Sequence, residues 1–321
     1  MFKVKLKSRL IRLLRLMRGD NALNDTQYDF LSSIAIKKSI SEFQTIGPVS
    51  KHLDGDVYSN IFSVFPEINI TQMICRDTYN LPATVDRELY HGVRHYDWWL
   101  SGLSDYLKIK QAMEKYGNPL KSGDTVYEMG CASGRVLRHF AVQHDELNIW
   151  GSDINNRHVE WIRLNLPDNI KIFQNTILPQ IPIESNSVDI ACAFSVFTHI
   201  DDLDLAWLCE IRRVLKKGGV FYVTIHSDDT WKYMRPSDQI YKSLIDMAPY
   251  IDEYKINEEF LAGPMPQDKT VFSWRAKNYN TNIFHKRDYI YREWGRFFQV
   301  KEIIRAGADY QDVVVMQKPF D

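Results

Sequence analysis

Cysteine is scarce in this chain of 321 residues, and its four copies stand far apart, at Cys75, Cys131, Cys192 and Cys209. Because no two of them form a C-x-x-C pair, the sequence predicts neither a zinc site nor a disulfide framework. An apolar run of the roughly 18 residues that a transmembrane helix needs is also absent. No charge sign is in surplus, since the net charge is −1. We therefore expect no nucleic-acid partner.

What is present is the composition of an ordinary globular protein, with 45% hydrophobic and 25% charged residues. A chain of this length can bury a core without disulfides, as one large domain with additions or as two domains. The cysteine usage fits a reducing compartment, so we expect a cytoplasmic location.

The N-terminus is strongly basic, with seven lysines and arginines and no acidic residue in residues 1–19. In a helix, one face would carry Phe2, Leu6, Leu10, Leu13, Leu14 and Met17. This pattern predicts a basic amphipathic segment over residues 1–20 that contacts an anionic membrane surface. A mitochondrial presequence has a similar composition, and a helix packed on the protein body or a frayed tail is the alternative. The cations interrupt every apolar stretch, which argues against a secretory signal.

Strands and helices alternate from residue 121 onward. Strands are predicted at residues 125–129, 147–152, 170–174, 188–194 and 220–225, and helices at 135–144, up to about 166, and 203–215. The alternation predicts an α/β fold with a Rossmann-like, doubly wound and mostly parallel sheet. Residues 297–304 and 312–317 are strand-like and predict an antiparallel C-terminal hairpin at a sheet edge.

Three regions follow from this pattern. Residues 1–20 form the basic segment, and residues 21–120 form an N-terminal and helical cap region with an aromatic-rich helix over 84–117. Residues 121–321 form the main domain. An insertion at about 227–290 is expected to cover the active-site face.

The segment V-Y-E-M-G-C-A-S-G-R, residues 126–135, joins the first strand to its helix. Gly130 and Gly134 allow backbone to approach a ligand where a Cβ would clash. The next strand ends at Asp153, about twenty residues on, where a carboxylate suits the two hydroxyls of a ribose. In an open parallel sheet, ligands bind beyond the carboxyl ends of the strands.

The spacing disfavours a dinucleotide and hence a nicotinamide oxidoreductase. That fingerprint is G-x-G-x-x-G, whereas this loop is E-x-G-x-x-x-G with Ala132 in place of the middle glycine. Glu128 at the loop entrance would repel a phosphate. It could instead accept hydrogen bonds around a cofactor that carries an amino acid.

These motifs resemble class I S-adenosylmethionine-dependent methyltransferases over residues 121–226. Glu128 to Gly134 is similar to their first motif and Trp150 to Asp153 to their second. Further similar stretches are residues 173–176 with Pro182, 187–190, 194–200 and 210–219. A looser resemblance to sugar and polysaccharide methyltransferases includes Phe284, His285, Tyr289, Trp294 and residues 311–315. Ala132 departs from the family, in which glycine is commonest at that position.

The resemblance implies S-adenosylmethionine as the cofactor and a role for each matching residue. The methionine part would be wrapped by Gly130, Cys131, Ala132 and Gly134, with Glu128 nearby. The ribose hydroxyls would be held by Asp153, and the adenine would be contacted by Ile154, Asn175 and Thr176. The pocket behind the sulfonium would be closed by Phe194 and Ser195.

Methyl transfer to a hydroxyl requires a base, and three histidines are candidates for that catalytic role: His199, His226 and His285. The fold would place all three near strand carboxyl ends, and histidine titrates near neutral pH. Three alternatives stay open: a structural role for His199, a base among Asp228 and Asp229, or no protein base.

The acceptor site is predicted on the aromatic helix, with Arg94, Trp98 and Trp99 as substrate-binding residues, since aromatic rings stack on sugars and arginine pairs with anions. The alternative is a helix packed on the sheet by its tryptophans. No metal site is predicted, because Asp201, Asp202 and Asp204 are better explained as a helix N-terminus rich in carboxylates.

The leading functional hypothesis is O-methylation of a sugar or glycan, free or lipid-linked. Methylation of a small metabolite or a lipid headgroup is the alternative within the same class. A catalytically silent, cofactor-binding scaffold is the alternative of a different class. The expected location is cytoplasmic, with membrane-surface association if residues 1–19 bind lipid.

Overall fold

Five parallel strands form the centre of the fold: β1 (Thr125–Met129), β2 (Asn148–Asp153), β3 (Ile170–Gln174), β4 (Val188–Ala193) and β5 (Leu215–Ser227). The computed structural model describes residues 43–53, 64–117, 119–144, 146–274 and 281–320. The order of the five strands across the sheet is β3-β2-β1-β4-β5, with Val126 of β1 opposite Ile149 of β2 and Ile190 of β4. The chain order reverses between β1 and β4, which opens a crevice at their carboxyl ends. The predicted doubly wound α/β fold is confirmed.

The strands β1 and β4 are almost entirely buried, because helices cover both faces of a parallel sheet. The helices that follow the first, second and fourth strands are α3 (Leu137–Gln143), α4 (Asn156–Asn165) and α5 (Asp204–Val214). Asn155 caps α4 by accepting from the Arg157 amide at 3.0 Å. The predicted strands over residues 125–129 and 170–174 have the observed bounds.

The connection between α5 and β5 differs from the prediction. The glycine pair Gly218-Gly219 predicted a helix stop, but α5 ends at Val214 and β5 already begins at Leu215. Gly218 has φ +77° inside the strand, next to a register shift between β4 and β5. The two glycines therefore accommodate an irregular strand rather than a helix end.

The chain ends in the predicted antiparallel hairpin, formed by β8 (Gln299–Ala308) and β9 (Gln311–Gln317). β9 is buried throughout because it lies between β5 and β8, whereas β8 alternates between exposed and partly buried positions at the edge. A buried cluster of apolar side chains between this part of the sheet and α5 includes Trp207 and Trp294.

The long segment after β5 builds a small substructure at the carboxyl edge of the sheet. It contains helices α6 (Asp228–Tyr233), α7 (Gln239–Met247) and α8 (Glu258–Ala262), strands β6 (Lys269–Ser273) and β7 (Thr281–His285), and then α9 (Arg287–Glu293). Trp231 lies in its apolar core. The last two residues of β5 pair in parallel with β7, and the Ile283 amide donates to the Thr198 carbonyl at 2.9 Å. The insertion therefore adjoins the segments that follow β4 and β5.

The region before β1 contains α1 (Ile70–Arg76), a 3-10 turn at Thr84–Arg87 and α2 (His95–Tyr116). The predicted continuous helix over 84–117 is wrong between them, because Glu88, Leu89, His91 and Gly92 all have positive φ. Residues 84–94 are referred to below as the strap. They belong to the same compact unit as the sheet, residues 44–321.

A buried ion pair ties α1 to the sheet domain. Arg138 of α3 donates to both oxygens of Asp77 at 2.8 Å, and the Trp99 indole donates to the same carboxylate at 2.6 Å. Burial alone would raise the pKa of Asp77, but the guanidinium outweighs it and the pKa is lowered. Both side chains are fully enclosed, so removing one partner would leave a buried charge uncompensated.

The predicted basic segment over residues 1–20 and most of residues 21–63 lie outside the described residues. Within the described ranges, no helix is both long and apolar enough to cross a bilayer. The division of the chain at residues 20 and 120 stays a prediction.

Gly102 provides a test of how α2 packs on the sheet domain. A Cβ at Gly102 would overlap the carbonyl oxygen of Arg135 and lie 2.8 Å from the carbonyl carbon of the same residue. Since backbone cannot yield as a flexible side chain does, we expect Gly102→Ala to lower the free energy of unfolding by about 1–3 kcal/mol, as overpacking does. Urea denaturation measures this. Gly295→Ala is the matched control, because nothing lies within 4 Å of its Cβ position. Equal stability of the two variants would contradict this packing.

Candidate active site

The loop that leaves β1, residues 130–134, is referred to below as the glycine loop. Gly130 has φ +68° and Gly134 has φ +83°, a region that favours glycine. A Cβ at Gly134 would lie 2.7 Å from Leu166, and one at Gly130 would overlap the Val196 side chain. Both glycines are therefore required by conformation and by space. The Gly130 and Cys131 amides donate to the Ser152 carbonyl at 2.8 and 3.0 Å.

Ala132 lies at the turn of the glycine loop with φ +47°. An L-residue pays roughly 1–2 kcal/mol in this conformation. The compensating contact is its amide, which donates to Asp153 Oδ2 at 2.8 Å. The departure from glycine is thus accommodated, and the strained loop is held by the acidic residue at the end of β2.

Asp153 is 6% exposed and accepts from several donors. Besides the Ala132 amide, it accepts from the Asn155 amide at 2.8 Å and from His158 Nδ1 at 3.3 Å. These bonds offset the cost of burying the carboxylate. The same hydrogen bonds hold Asp153, the residue predicted to bind the ribose, against the glycine loop and at the start of α4.

Glu128 is 2% exposed at the end of β1. Burial raises its pKa to about 8, although the charge of Arg135 and a bond from the Leu137 amide oppose the rise. Oε2 has no hydrogen-bond partner among the described residues. A buried carboxyl oxygen without a partner fits a cationic or hydrogen-bond-donating ligand group and does not fit a phosphate.

The residues predicted around the adenine and the sulfonium lie along the same edge. Asn175 is buried, and its backbone amide donates to the backbone carbonyl of Asp153 at 3.1 Å. Its side-chain Oδ1 lacks a partner in the described part of the chain. Thr176 and Ile154 are exposed, and Phe194 is half-buried. Ser195 has φ +55°, and its amide donates to Thr224 Oγ1 at 2.7 Å.

Two further side chains belong to this edge and were not predicted. Arg135 donates to Asp105 Oδ2 of α2 at 2.6 Å, and its guanidinium lies 5.4 Å from the Phe194 ring centre. Gln311 of β9 hydrogen-bonds Ser195 Oγ at 3.0 Å. Arg135 stands in the motif itself, so its position was visible in the sequence. Gln311 stands in the segment 311–315 that the looser resemblance includes, but its contact with Ser195 depends on the hairpin and could not be read from the sequence.

The structure brings the three candidate histidines together. His226 and His285 lie on neighbouring strands, since Ser227 is the register partner of His285. His199 Nδ1 is 2.6 Å from the carbonyl of Thr281, the first residue of β7. Positive charge on His199 or His285 lowers the pKa of His226, in addition to burial.

The three rings differ in burial and therefore in their capacity to accept a proton. His226 and His285 are almost fully enclosed, and burial lowers the pKa of each to about 3. His199 is half-buried, and its pKa is lowered by burial while the Thr281 bond and the charge of Glu88 oppose the shift. A carbonyl only accepts, so Nδ1 of His199 carries the proton and Nε2 is the acceptor nitrogen of the neutral ring. His199 therefore suits a base better than the other two.

The predicted acceptor residues do not form one exposed face. Trp98 is 2% exposed and Trp99 is fully buried, whereas the Arg94 side chain is exposed and lies 3.4 Å from Asp97. The guanidinium groups of Arg87 and Arg138 each lie 5.7 Å from the centre of the Trp98 ring. This arrangement favours the alternative interpretation, in which the tryptophans pack α2 on the domain.

Asp204, one of the three carboxylates near α5, has partners within the protein. Asp204 begins α5, and its Oδ1 pairs with Lys269 of β6 at 3.0 Å. Its other oxygen accepts from Tyr289 and Trp294 at 3.3 and 3.4 Å. This carboxylate joins α5 to β6 and α9.

Comparison with known proteins now adds to this geometry. The family described as "Methyltransferase domain" matches residues 127–223, the segment from β1 into β5 that carries the glycine loop, Glu128 and Asp153. Residues 127–223 therefore match a methyltransferase domain. S-Adenosylmethionine is the cofactor of this domain.

One curated relative is sterol 24-C-methyltransferase ERG6B of Gibberella zeae, 31% identical over 109 residues. The match covers 32% of this chain and 28% of the relative, so the chain spans well under half of that protein.

Two solved structures share parts of the fold. A putative methyltransferase in complex with the Haloferax volcanii Trm112 activator is 16% identical, with a TM-score of 0.45, covering 70% of this chain and 96% of that one. A SAM-dependent methyltransferase from Methanosarcina mazei is 14% identical, with a TM-score of 0.44, covering 65% and 97%.

The residues of the methyltransferase domain fit S-adenosylmethionine. Its amino-acid part carries an ammonium group, and Glu128 offers a buried carboxyl oxygen that lacks a partner within the described chain. The ribose hydroxyls would be held by Asp153, whose position against the glycine loop is fixed by the Ala132 amide.

Glu128 gives the methyltransferase domain a pH-dependent stability. Its pKa is about 8 in the folded protein, against about 4.5 when unfolded, so the folded state binds more protons between these values. The free energy of unfolding should therefore fall as the pH rises from about 5 to 8, by up to about 1.4 kcal/mol per pH unit.

Urea denaturation of the ligand-free protein at pH 5.5, 6.5 and 7.5 measures this effect. Glu128→Gln cannot ionise, so the stability difference between the variant and the wild type should shift in favour of the variant at each higher pH. A difference that stays constant over the series would mean that Glu128 titrates at its ordinary value.

Proposed function

We propose that the protein transfers a methyl group from S-adenosylmethionine to a hydroxyl of a sugar or glycan, free or lipid-linked. The observation that carries the proposal is the contact between the glycine loop and the base candidate. Gly130 packs against Val196 so closely that a Cβ would overlap it, and the His199 amide donates to the Val196 carbonyl at 2.9 Å. One short turn thus joins the cofactor site to His199.

When bound, S-adenosylmethionine supplies a methyl group that is already electrophilic. The protein then mainly has to align the acceptor and exclude water. A hydroxyl acceptor must also lose a proton, and Nε2 of His199 can take it. Because the pKa of His199 is lowered, its ring is neutral and able to accept at neutral pH.

The sugar assignment rests on the resemblance of residues around the insertion to sugar and polysaccharide methyltransferases. Of these residues, His285 is fully buried against the rings of Tyr289 and Trp294. His285, Tyr289 and Trp294 support the insertion that adjoins His199. Cytoplasmic location and contact of residues 1–19 with a membrane surface are proposed with it, and would suit a lipid-linked acceptor.

A small metabolite or a lipid headgroup is the alternative acceptor. The Gibberella zeae relative is named for carbon methylation of a sterol, and its similarity covers only 32% of this chain. A silent scaffold is disfavoured because Glu128, Asp153 and both loop glycines are present.

Calorimetric titration tests the cofactor step. S-Adenosylhomocysteine should release or absorb heat with one site per chain, and NAD should not. Asp153→Asn removes one of the two carboxylate oxygens, so its affinity should fall at least about tenfold, the loss of one charged hydrogen bond. Asp168→Asn, at an exposed position after α4, is the control. Absence of binding by the wild type would sink the proposal.

Turnover tests the base. The assay is the release of S-adenosylhomocysteine with a panel of oligosaccharides, lipid-linked glycans and small hydroxyl compounds. His199→Ala should lower kcat about a hundredfold, the typical contribution of a general base, without changing the affinity for S-adenosylhomocysteine.

His144→Gln is the control for this loss, since His144 follows α3 and bonds Tyr106, away from β4. An unchanged kcat for His199→Ala with every active acceptor would remove His199 from the mechanism.

A further inference from the structure

The strap is fastened to α4 by two neighbouring contacts. Asp86 is buried and pairs with Arg157 at 2.5 Å. Two residues on, Glu88 Oε1 lies 3.6 Å from Nε2 of His158. Both partners stand in the first turn of α4, directly after Asp153 and its cap. The strap and the ribose site therefore share one helical turn.

The strap also contacts α2, next to the residue that follows the glycine loop. His91 Nε2 lies 3.3 Å from Ser101 Oγ of α2, and the same hydroxyl accepts from Arg135 at 3.3 Å. Arg135 directly follows the glycine loop. The strap is thus anchored to both α4 and α2.

His158 is placed between two carboxylates. Its Nδ1 is 3.3 Å from Asp153 Oδ1, and its Nε2 faces Glu88. Carboxylates only accept, so Nδ1 of His158 donates to Asp153, and Glu88 lies within ion-pair distance of Nε2 when the ring carries both protons. The His158 ring is only 3% exposed, so solvent screens its interactions little. The Glu88 side chain is 41% exposed and can move away from the ring into solvent.

The conformation of the strap is unfavourable on its own. Glu88, Leu89 and His91 have φ between +53° and +66°, a region that L-residues rarely adopt. Leu89 and Tyr90 are also largely exposed. The strap conformation therefore relies on compensating contacts, which are its anchors and the bonds that Thr84 Oγ1 and Arg87 donate to the Gly92 carbonyl, and loss of an anchor should loosen it.

We propose that His158 is a positioning residue that links the ribose carboxylate Asp153 to Glu88 of the strap. Cofactor binding and fastening of the strap then stabilise each other, because a coupling between two sites acts in both directions. The proposal rests on the proposed function, since it requires that Asp153 binds the ribose.

The experiment combines calorimetry with hydrogen exchange, using S-adenosylhomocysteine as the probe and the full chain. In the wild type, the ligand should slow amide exchange in residues 84–94. His158→Gln can reach one carboxylate but cannot bridge both. It should weaken the ligand about fivefold or more, and saturating ligand should no longer slow exchange in the strap.

Two further variants keep the test sharp. Glu88→Gln should reproduce the loss of protection, and the double variant should bind no more weakly than His158→Gln alone. Arg163→Gln is the matched control on the same helix, because its pair with Glu160 contacts neither Asp153 nor the strap. If His158→Gln is unstable, Glu88→Gln decides, since its side chain is partly exposed.

The outcomes separate the two proposals. If the wild type does not bind S-adenosylhomocysteine, the proposed function fails and this inference falls with it. If the wild type binds, and His158→Gln binds equally well with the same protection of the strap, only the link through His158 is overturned.

Discussion

The hydrogen bond from the Ala132 amide to Asp153 is the interaction on which the rest of the site depends. It closes a strained turn at the end of β1 onto the carboxylate at the end of β2, so the parallel pairing of these strands fixes the shape of the glycine loop. The same carboxylate accepts from Asn155 and His158, which set the start of α4 and the position of the strap. Burial of this charge is tolerable only because all these donors are present.

The sequence predicted the sheet and the glycine loop because both depend on local information. Buried parallel strands are continuous apolar runs, and Gly130 and Gly134 mark positive φ directly. The strap could not be predicted, since Glu88 and Leu89 favour helices and only contacts with Arg157, His158 and Ser101 impose another conformation. The extension of β5 to Ser227 was missed for a similar reason: its partner β7 lies more than fifty residues further along the chain.

The histidines show where local inference about chemistry ends. Their position after strands was enough to bring His199, His226 and His285 to one edge. Their capacity to accept a proton depends on burial, which is a tertiary property: two rings are enclosed by Phe284, Trp294 and their neighbours, and one is not. The tryptophans of α2 make the same point. An aromatic helix that packs on a domain and one that binds a sugar have the same sequence pattern.

Asp153 and Glu128 end adjacent strands, yet the fold treats their charges differently. Asp153 receives backbone and imidazole donors from the protein, so its charge is compensated before any ligand arrives. Glu128 receives one amide, keeps an oxygen without a partner in the described chain, and has a pKa raised to about 8 by burial. A cationic group at Glu128 would supply the missing compensation and favour ionisation. With S-adenosylmethionine bound as proposed, the ribose side of the site would be preorganised by the protein and the amino-acid side completed by the ligand, which would discriminate against molecules that have a ribose but no ammonium group.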